Sequence, residues 1–467
     1  MIVKKIKEVA KNNSKKIAYI IEDNSITYEE LFNKASTYAD YLKRQDSSPV
    51  IIYGEKSIDY YIAMVSCLIA KRAYIPISLN TPKERLKDII KISKSSLIIA
   101  DNDINISNIK ICKLEDLCSY KFDKIIEINN DIAYIIFTSG STGIPKGVPI
   151  KYSNLFNFVT WISSLKPLCN YKNINVLNQA NFSFDLSVAD MYYSLFNGHT
   201  LISINNDFIN NYNEMFDAIK KVDLMVVTPT FMKLCLINKE FNNNYFKRLK
   251  CIYFCGETLD KKIVQDLFFR FNDINIINAY GPTEATSAVC AINITKDMLN
   301  YDTLPIGDIK NAATDISIVN NEIVLKGKSV FSGYLNNING GYYKENGIDC
   351  FRTNDIGYIK NNKLYFKGRL DNQIKYKGYR IELDDIELNI KKIEYIKDCV
   401  VIPIYDNKII KNLKAYVTVS KDVNINIIKK DLEKLIPKYM IPKVIIICDN
   451  LPYNDNLKID RKSLKYD

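Results

Sequence analysis

A chain of 467 residues that is 47% hydrophobic and 11% aromatic has the apolar content of a globular protein, which excludes disorder, and its length suits two to four folding units. Lys and Arg exceed Asp and Glu by 64 to 53, a net charge of +11 with no long basic run, which argues against nucleic-acid binding and fits either a mildly basic surface or a site for an anionic substrate. The 11 Cys form no CxxC pair and there is 1 His, which excludes zinc-site and disulfide-framework spacing and reads as a reduced, cytoplasmic chain.

From the N-terminus, Met1–Asn12 sets Ile2, Val3, Ile6 and Val9 among lysines, an amphipathic helix without the apolar core of a secretion signal. Thr27 and Glu30 make a capping box that opens a helix to about Lys43. A strand at Val50–Tyr53, a helix at Ile58–Ala70 and a strand at Ala73–Ile77 follow. The apolar stretch Tyr60–Ala70 lies between Asp59 and Lys71 and is too short to cross a bilayer, so no membrane insertion is expected. Strands at Leu97–Ala100, Ile132–Phe137, Leu177–Ala180, Leu224–Val227, Ile252–Cys255 and Ile274–Asn278 alternate with helices after Ser153, at Val188–Phe196 and at Asp260–Phe271. That alternation predicts parallel α/β sheets. His199, in Gly198-His199-Thr200, reads as a turn residue, so the chemistry is expected to run without a histidine base.

Beyond Tyr301 the pattern becomes short, β-rich and turn-punctuated, with Ile316–Val319, Glu322–Leu325, Gly357–Ile359 and Lys363–Phe366; Asn361-Asn362 reads as a hairpin turn. A smaller α+β unit begins near Leu370–Asn372. It carries a helix at Leu383–Lys392, strands at Asp398–Ile404 and Leu413–Val419, a helix at Ile427–Leu435 and a strand at Val444–Cys448.

Behind the apolar run Ile132–Phe137 stands Thr138-Ser139-Gly140-Ser141-Thr142-Gly143-Ile144-Pro145-Lys146-Gly147. Its glycines let the backbone turn N–H groups toward an anion, its hydroxyls add donors and Lys146 adds charge, a combination suited to phosphate. It is neither a Walker A loop nor GxGxxG.

This stretch resembles the signature loop of the adenylate-forming enzymes, which comprise acyl-CoA ligases, luciferase and peptide-synthetase adenylation domains. Further resemblances follow in order: Phe184-Asp185-Leu186-Ser187, Asn278-Ala279-Tyr280-Gly281-Pro282-Thr283-Glu284, Phe351-Arg352-Thr353-Asn354-Asp355, Gly368-Arg369-Leu370-Asp371, Lys377-Gly378-Tyr379-Arg380-Ile381-Glu382 and Asn456-Leu457-Lys458-Ile459-Asp460-Arg461. The resemblance implies an α/β fold. A large domain (1–369) of two parallel-type α/β subdomains plus a small β-barrel would be followed by a small mobile α+β domain (370–467).

It also implies an ATP site made by Thr138, Ser139, Gly140, Ser141, Thr142, Gly143, Lys146, Asn278, Ala279, Tyr280, Gly281, Pro282, Thr283, Asp355, Phe366 and Arg369. Within it Asp355 accepts from the ribose, Tyr280 faces adenine, Asn278 and Ala279 offer an amide edge, and Thr283 bonds the α-phosphate. Glu284, a hard oxygen donor, suits Mg²⁺. Lys458 places positive charge between the substrate carboxylate and the α-phosphate. Asp371 is the implied hinge, and Gly378 lies on the implied pantetheine channel.

In the amino-acid branch, the position of Asp185 receives the substrate ammonium; a helix N-cap is the other reading of the same residue. The segments Phe182–Val188, Thr228–Phe231, Phe254–Glu257 and Gly368–Gln373 resemble the subfamily that loads D-alanine onto a small carrier protein, with Cys255 in its pocket. Ser287 and Ala279 stand where that subfamily is expected to have Val and Thr. Asn354 and Leu457 stand where the family often has Gly, a position with φ > 0 that Asn tolerates and Leu resists.

The resemblance thus implies activation of a small amino acid, with D-alanine leading, and transfer to the phosphopantetheine thiol of a separate carrier protein. A stand-alone peptide-synthetase adenylation enzyme for another small amino acid is the alternative. A coenzyme A ligase would accept acids without an amino group, and a non-catalytic nucleotide-binding relative would give no pyrophosphate exchange.

Overall fold

The computed structural model describes residues 2–101, 104–119, 131–140, 142–205, 212–336, 338, 340–406, 409–452, 461 and 463–465. Ser141, Leu457 and Lys458 lie outside the described residues. Contacts divide the chain into two compact units. The first comprises Met1–Ser78, Ser93–Ile136 and Gly147–Leu370, and the second Leu79–Ile92, Phe137–Lys146 and Asp371–Asp467.

Local sequence determines many of the elements directly. Glu30 N–H donates to Thr27 Oγ1 at 3.2 Å and Thr27 N–H donates to Glu30 Oε2 at 2.9 Å, the capping box that opens Tyr28–Leu42. Helix Ile58–Ala70 is buried on nearly every face, which is why its sequence is apolar throughout and shows little amphipathicity. No helix among the described residues is long and apolar enough to cross a membrane.

The first unit is built on parallel sheets. An eight-stranded sheet runs in the order Cys290–Ile294, Asn275–Tyr280, Cys251–Phe254, Leu224–Val227, Asn175–Asn178, Thr200–Ser203, Ile17–Ile21, Asn24–Thr27. Its inner pairs are parallel and its two edge pairs antiparallel. A six-stranded sheet orders Lys110–Cys112, Leu97–Ala100, Val50–Tyr53, Tyr74–Ile77, Ile132–Thr138 and Lys146–Lys151. Inner strands such as Leu97–Ala100 and Leu224–Val227 are buried throughout and apolar at every position, as parallel sheets covered on both faces require.

The β-rich stretch after Tyr301 forms an antiparallel sheet around the long strand Ile348–Lys360. Its hairpin turn at Asn361-Asn362 has φ of +52° and +60°, as a two-residue primed turn demands.

The second unit holds the hairpin Gln373–Tyr376 with Tyr379–Glu382 and a sheet of Ile396–Asp406, Ile409–Val419 and Val444–Ile447. Helices Leu383–Lys391 and Ile425–Leu432 accompany them, and Ile386, Ile390, Val401, Val417, Ile428 and Leu432 pack into the core. Helices Lys83–Ser93, Tyr212–Ile219 and Pro229–Ile237 and the strand Lys146–Lys151 were not anticipated from periodicity.

Candidate functional site

In the first unit Asp185, Cys255 and the Gly281–Ser287 segment stand just beyond the carboxyl ends of parallel strands, the usual place for ligands in such sheets, while Asp355, Phe366 and Arg369 lie on the antiparallel strands Ile348–Lys360 and Lys363–Arg369. Strand Asn275–Tyr280 ends in Gly281, where a Cβ would lie 2.5 Å from Ala288 Cα. The chain then makes the short 3-10 turn Thr283–Ala285, and Thr286 and Ser287 follow with φ of +63° and +70°.

Asp185 precedes helix Leu186–Asn197 yet makes no side-chain cap bond. Its Oδ2 instead accepts from Thr283 Oγ1 at 2.6 Å. Cys255 and Ser287 are both buried, with the thiol 3.9 Å from the Ser287 carbonyl oxygen.

Asp355 is the second focus. Its Oδ2 accepts from Tyr280 OH at 2.6 Å, and the Arg369 guanidinium is paired with Oδ1. Burial, and then the Asp355 charge, push the Tyr280 phenol well above its ordinary pKa. Asn354 has φ +57°, the left-handed conformation that Asn tolerates, and its N–H donates to Glu322 Oε1 at 2.9 Å. Phe366 packs, partly buried, against the main core. The Asn278 amide donates to the Pro305 carbonyl at 2.8 Å, and Ala279 pairs with Ala291 in the sheet.

Glu284 is fully buried; its Oε1 accepts from Tyr334 OH at 2.5 Å and its carbonyl from Phe331 N–H at 2.8 Å. Among the described residues no three His, Cys, Asp or Glu side chains group as a metal cage. A Mg²⁺ ion here would draw one protein carboxylate and complete its shell from phosphates and water, the donor set Mg²⁺ usually takes, so Glu284 fits it.

The glycine-rich loop belongs to the second unit. A Cβ at Gly140 would fall on the Ile144 carbonyl oxygen, so the loop closes this tightly only with glycine there. Thr142 is exposed, and Gly143 N–H donates to Gly140 O at 3.0 Å. Thr138 and Ser139 are buried. Ser139 Oγ donates to Arg380 O at 3.1 Å and accepts from Glu382 N–H at 3.0 Å. Lys146 Nζ lies 3.8 Å from Glu382 Oε1. Burial raises the Glu382 carboxyl pKa against the pull of Arg380 and Lys146. Asp371 is exposed and caps Gln373 N–H at 3.2 Å, and Lys377-Gly378 is a two-residue hairpin turn with both φ positive.

Residues 6–335 match the family of AMP-binding enzymes, and residues 385–458 match the AMP-binding enzyme C-terminal domain. This chain belongs to the AMP-binding enzyme family. It is similar to the D-alanine–D-alanyl carrier protein ligase of Bacillus licheniformis, 36% identical over 99% of this chain and 99% of that protein. The protein of the same name from Listeria monocytogenes is 38% identical over 94% of this chain and 93% of its own length. Among solved structures, a Vibrio cholerae adenylation domain in complex with glycyl-adenosine-5′-phosphate matches with a TM-score of 0.84. It covers 99% of this chain and 97% of its own at 22% identity, a likeness of fold.

Three supporting residues in this AMP-binding enzyme carried no signal in the sequence. Tyr334 holds Glu284 from 50 positions away, and Glu322 holds Asn354 from 32. Lys56, buried, donates to the carbonyls of Asn178, Gln179 and Ile204 at 3.1, 3.0 and 3.0 Å, bracing the strand end that leads to Asp185. Glu382 stood in a recognised motif, but its place against the glycine-rich loop is not a local property of the sequence.

Proposed function

We propose that this chain activates D-alanine with ATP and passes it to the phosphopantetheine thiol of a separate carrier protein. A carboxylate oxygen of the amino acid attacks the α-phosphorus; that P–O bond forms as the bond to the leaving pyrophosphate breaks. The thiol sulfur then attacks the acyl carbon, AMP leaves, and the thiol proton passes to solvent. The observation that supports the reading is the 2.6 Å hydrogen bond from Thr283 Oγ1 to Asp185 Oδ2, which joins the carboxylate proposed for the substrate ammonium to the hydroxyl proposed for the α-phosphate. Relatives named for this reaction with D-alanine, alike over almost the whole chain, support the choice of substrate.

In this reading Asp355 takes the ribose hydroxyls, Tyr280 faces adenine, Arg369 and Phe366 flank the nucleoside, and Thr283 bonds the α-phosphate. Ser139, Gly140, Thr142, Gly143 and Lys146, with Thr138 and Ser141, hold the departing pyrophosphate. Lys458 neutralises the charge that builds as the carboxylate attacks. Glu284 would hold Mg²⁺, which when bound supplies neutralisation of phosphate charge. Asp371 serves as the hinge, and the Lys377-Gly378 turn faces the pantetheine.

Positioning and charge do the work, and no base is needed. His199 is buried and its pKa is pushed down to about 4 by burial, leaving it neutral and apart from this chemistry.

Ser287, buried beside Cys255, favours a second reading in which another small amino acid, serine included, is the substrate. Pyrophosphate exchange with both enantiomers of alanine, serine, cysteine and glycine decides between them, with Lys458→Ala as the control. D-alanine should exchange best, and Lys458→Ala should lose about 10²–10³ in rate. Exchange with no amino acid would refute the reading.

A further inference from the structure

Lys56 is buried just ahead of helix Ile58–Ala70, and Ser57, whose Oγ accepts from Tyr60 N–H at 3.0 Å, caps that helix and fixes the backbone there. The Lys56 ammonium donates to the carbonyls of Asn178, Gln179 and Ile204. Three acceptors take all three N–H groups of an ammonium, and a neutral amine would have only two to give. The ammonium also stands 5.9 Å from the centre of the Phe182 ring, within cation–π range. Its countercharge is Asp190, buried on helix Leu186–Asn197. Burial raises the Asp190 pKa and lowers that of Lys56, and each charge opposes the shift of the other. Asn178 links the two groups: its Nδ2 donates to Asp190 Oδ1 at 2.9 Å, and its Oδ1 accepts from Ser203 Oγ at 2.6 Å. The segment from the end of strand Asn175–Asn178 to the first turns of the helix is thereby closed on itself, and Asp185 rides within it. One cation holds the start of that segment by two carbonyls, its middle by the Phe182 ring and its end through the charge of Asp190.

We infer that Lys56 is a positioning residue for the amino acid, a built-in cation that sets the place of Asp185; the inference rests on the role given to Asp185 above. Lys56 has no assigned contact with either substrate and acts through the backbone of Asn178 and Gln179. A small amino acid offers few other contacts, so a shift of Asp185 by about 1 Å would cost much of its charge-assisted hydrogen bond to the substrate ammonium. The nucleoside side is held differently, through the bonds that join Tyr280, Asp355 and Arg369. Loss of the Lys56 charge should therefore weaken the amino acid and spare the nucleotide.

The test compares the full chain with Lys56→Met and with Lys56→Met/Asp190→Asn by pyrophosphate exchange, AMP calorimetry and urea unfolding. Lys56→Met removes the cation and keeps the length of the side chain. The second change removes the carboxylate charge left behind, while an amide oxygen there can still accept from Asn178. In both variants the KM for the amino acid that the parent exchanges best should rise at least about tenfold, with kcat within about threefold and AMP affinity within about twofold of the parent. The urea midpoint should fall in Lys56→Met and recover part of that loss in the double variant. An unchanged KM overturns the inference. So does a KM that recovers together with stability, or one that shifts in step with AMP affinity, because Lys56 would then be structural support alone. A double variant no more stable than Lys56→Met overturns the pairing of Lys56 with Asp190. A parent that exchanges no amino acid overturns the reading beneath, and the positioning role falls with it.

Discussion

Lys146 and Glu382 face each other at 3.8 Å, both largely buried, so the cation of the glycine-rich loop already has a carboxylate beside it. Ser139 reinforces the arrangement by bonding the backbone at Arg380 and Glu382. The polyphosphate of ATP must compete with this internal anion for Lys146. Glu382→Gln should therefore tighten ATP about fivefold, on the order of 1 kcal/mol for one well-placed charge, while AMP, which has no β- or γ-phosphate, should bind unchanged. Calorimetry with the two nucleotides separates these outcomes. Equal effects on both would mean that Glu382 does not compete for the loop.

Asp355 joins Tyr280 and Arg369 through one carboxylate, so it both orders its neighbours and, as proposed, receives the ribose. Asp355→Asn keeps the shape and loses the charge. AMP affinity should fall about 10- to 100-fold, the range for hydrogen bonds to a charged group. 2′,3′-Dideoxy-ATP should lose far less on the same substitution, because it lacks the hydroxyls that Asp355 would receive. A parallel loss would place Asp355 in a purely structural role.

What the sequence announced was local or repeated in order. The Thr27–Glu30 capping box, the Asn361-Asn362 turn and the apolar helix Ile58–Ala70 follow from neighbours a few positions apart, where steric and capping rules act. Asp185 shows the limit: an acidic residue ahead of a helix suits a cap and a ligand equally, and neither the missing cap bond nor the bond from Thr283, 98 positions on, is a local property of the sequence. Tyr334 is one of 32 tyrosines, and nothing in its neighbours says that it faces Glu284. The strand Lys146–Lys151 was missed because Pro149 and the glycine-rich loop disguise it.

The sole histidine gives a clean pH signature. Burial lowers the His199 pKa from 6.5 to about 4, so between those values the unfolded chain binds a proton that the folded chain refuses. Stability from this residue is complete above about pH 6.5 and is lost as pH falls toward 4, by about 3 kcal/mol in all. His199→Phe, which keeps a ring beside Tyr193, should leave the urea midpoint at pH 7.5 within about 0.5 M and flatten its decline between pH 6.5 and 4. Parallel declines in the two proteins would show that His199 does not titrate on unfolding.

Tyr334 donates to Glu284 at 2.5 Å, and the segment that carries it is fixed at both ends: Phe331 N–H donates to Glu284 O at 2.8 Å, and Leu335 N–H to Gly147 O at 3.0 Å. The carboxylate proposed for Mg²⁺ is thus aimed by a neighbour that itself has little freedom, and groups that orient a metal ligand commonly govern affinity for the ion. Tyr334→Phe removes one hydroxyl and preserves the ring. The Mg²⁺ concentration for half-maximal pyrophosphate exchange should rise about tenfold, and Mn²⁺ binding in the presence of ATP, followed by electron paramagnetic resonance, should weaken in step. Metal-free AMP should bind as before, because neither Glu284 nor Tyr334 is assigned to the nucleoside. If AMP affinity and the Mg²⁺ requirement shift together, Tyr334 supports the turn as a whole; a shift in the metal response alone identifies it as the residue that positions Glu284.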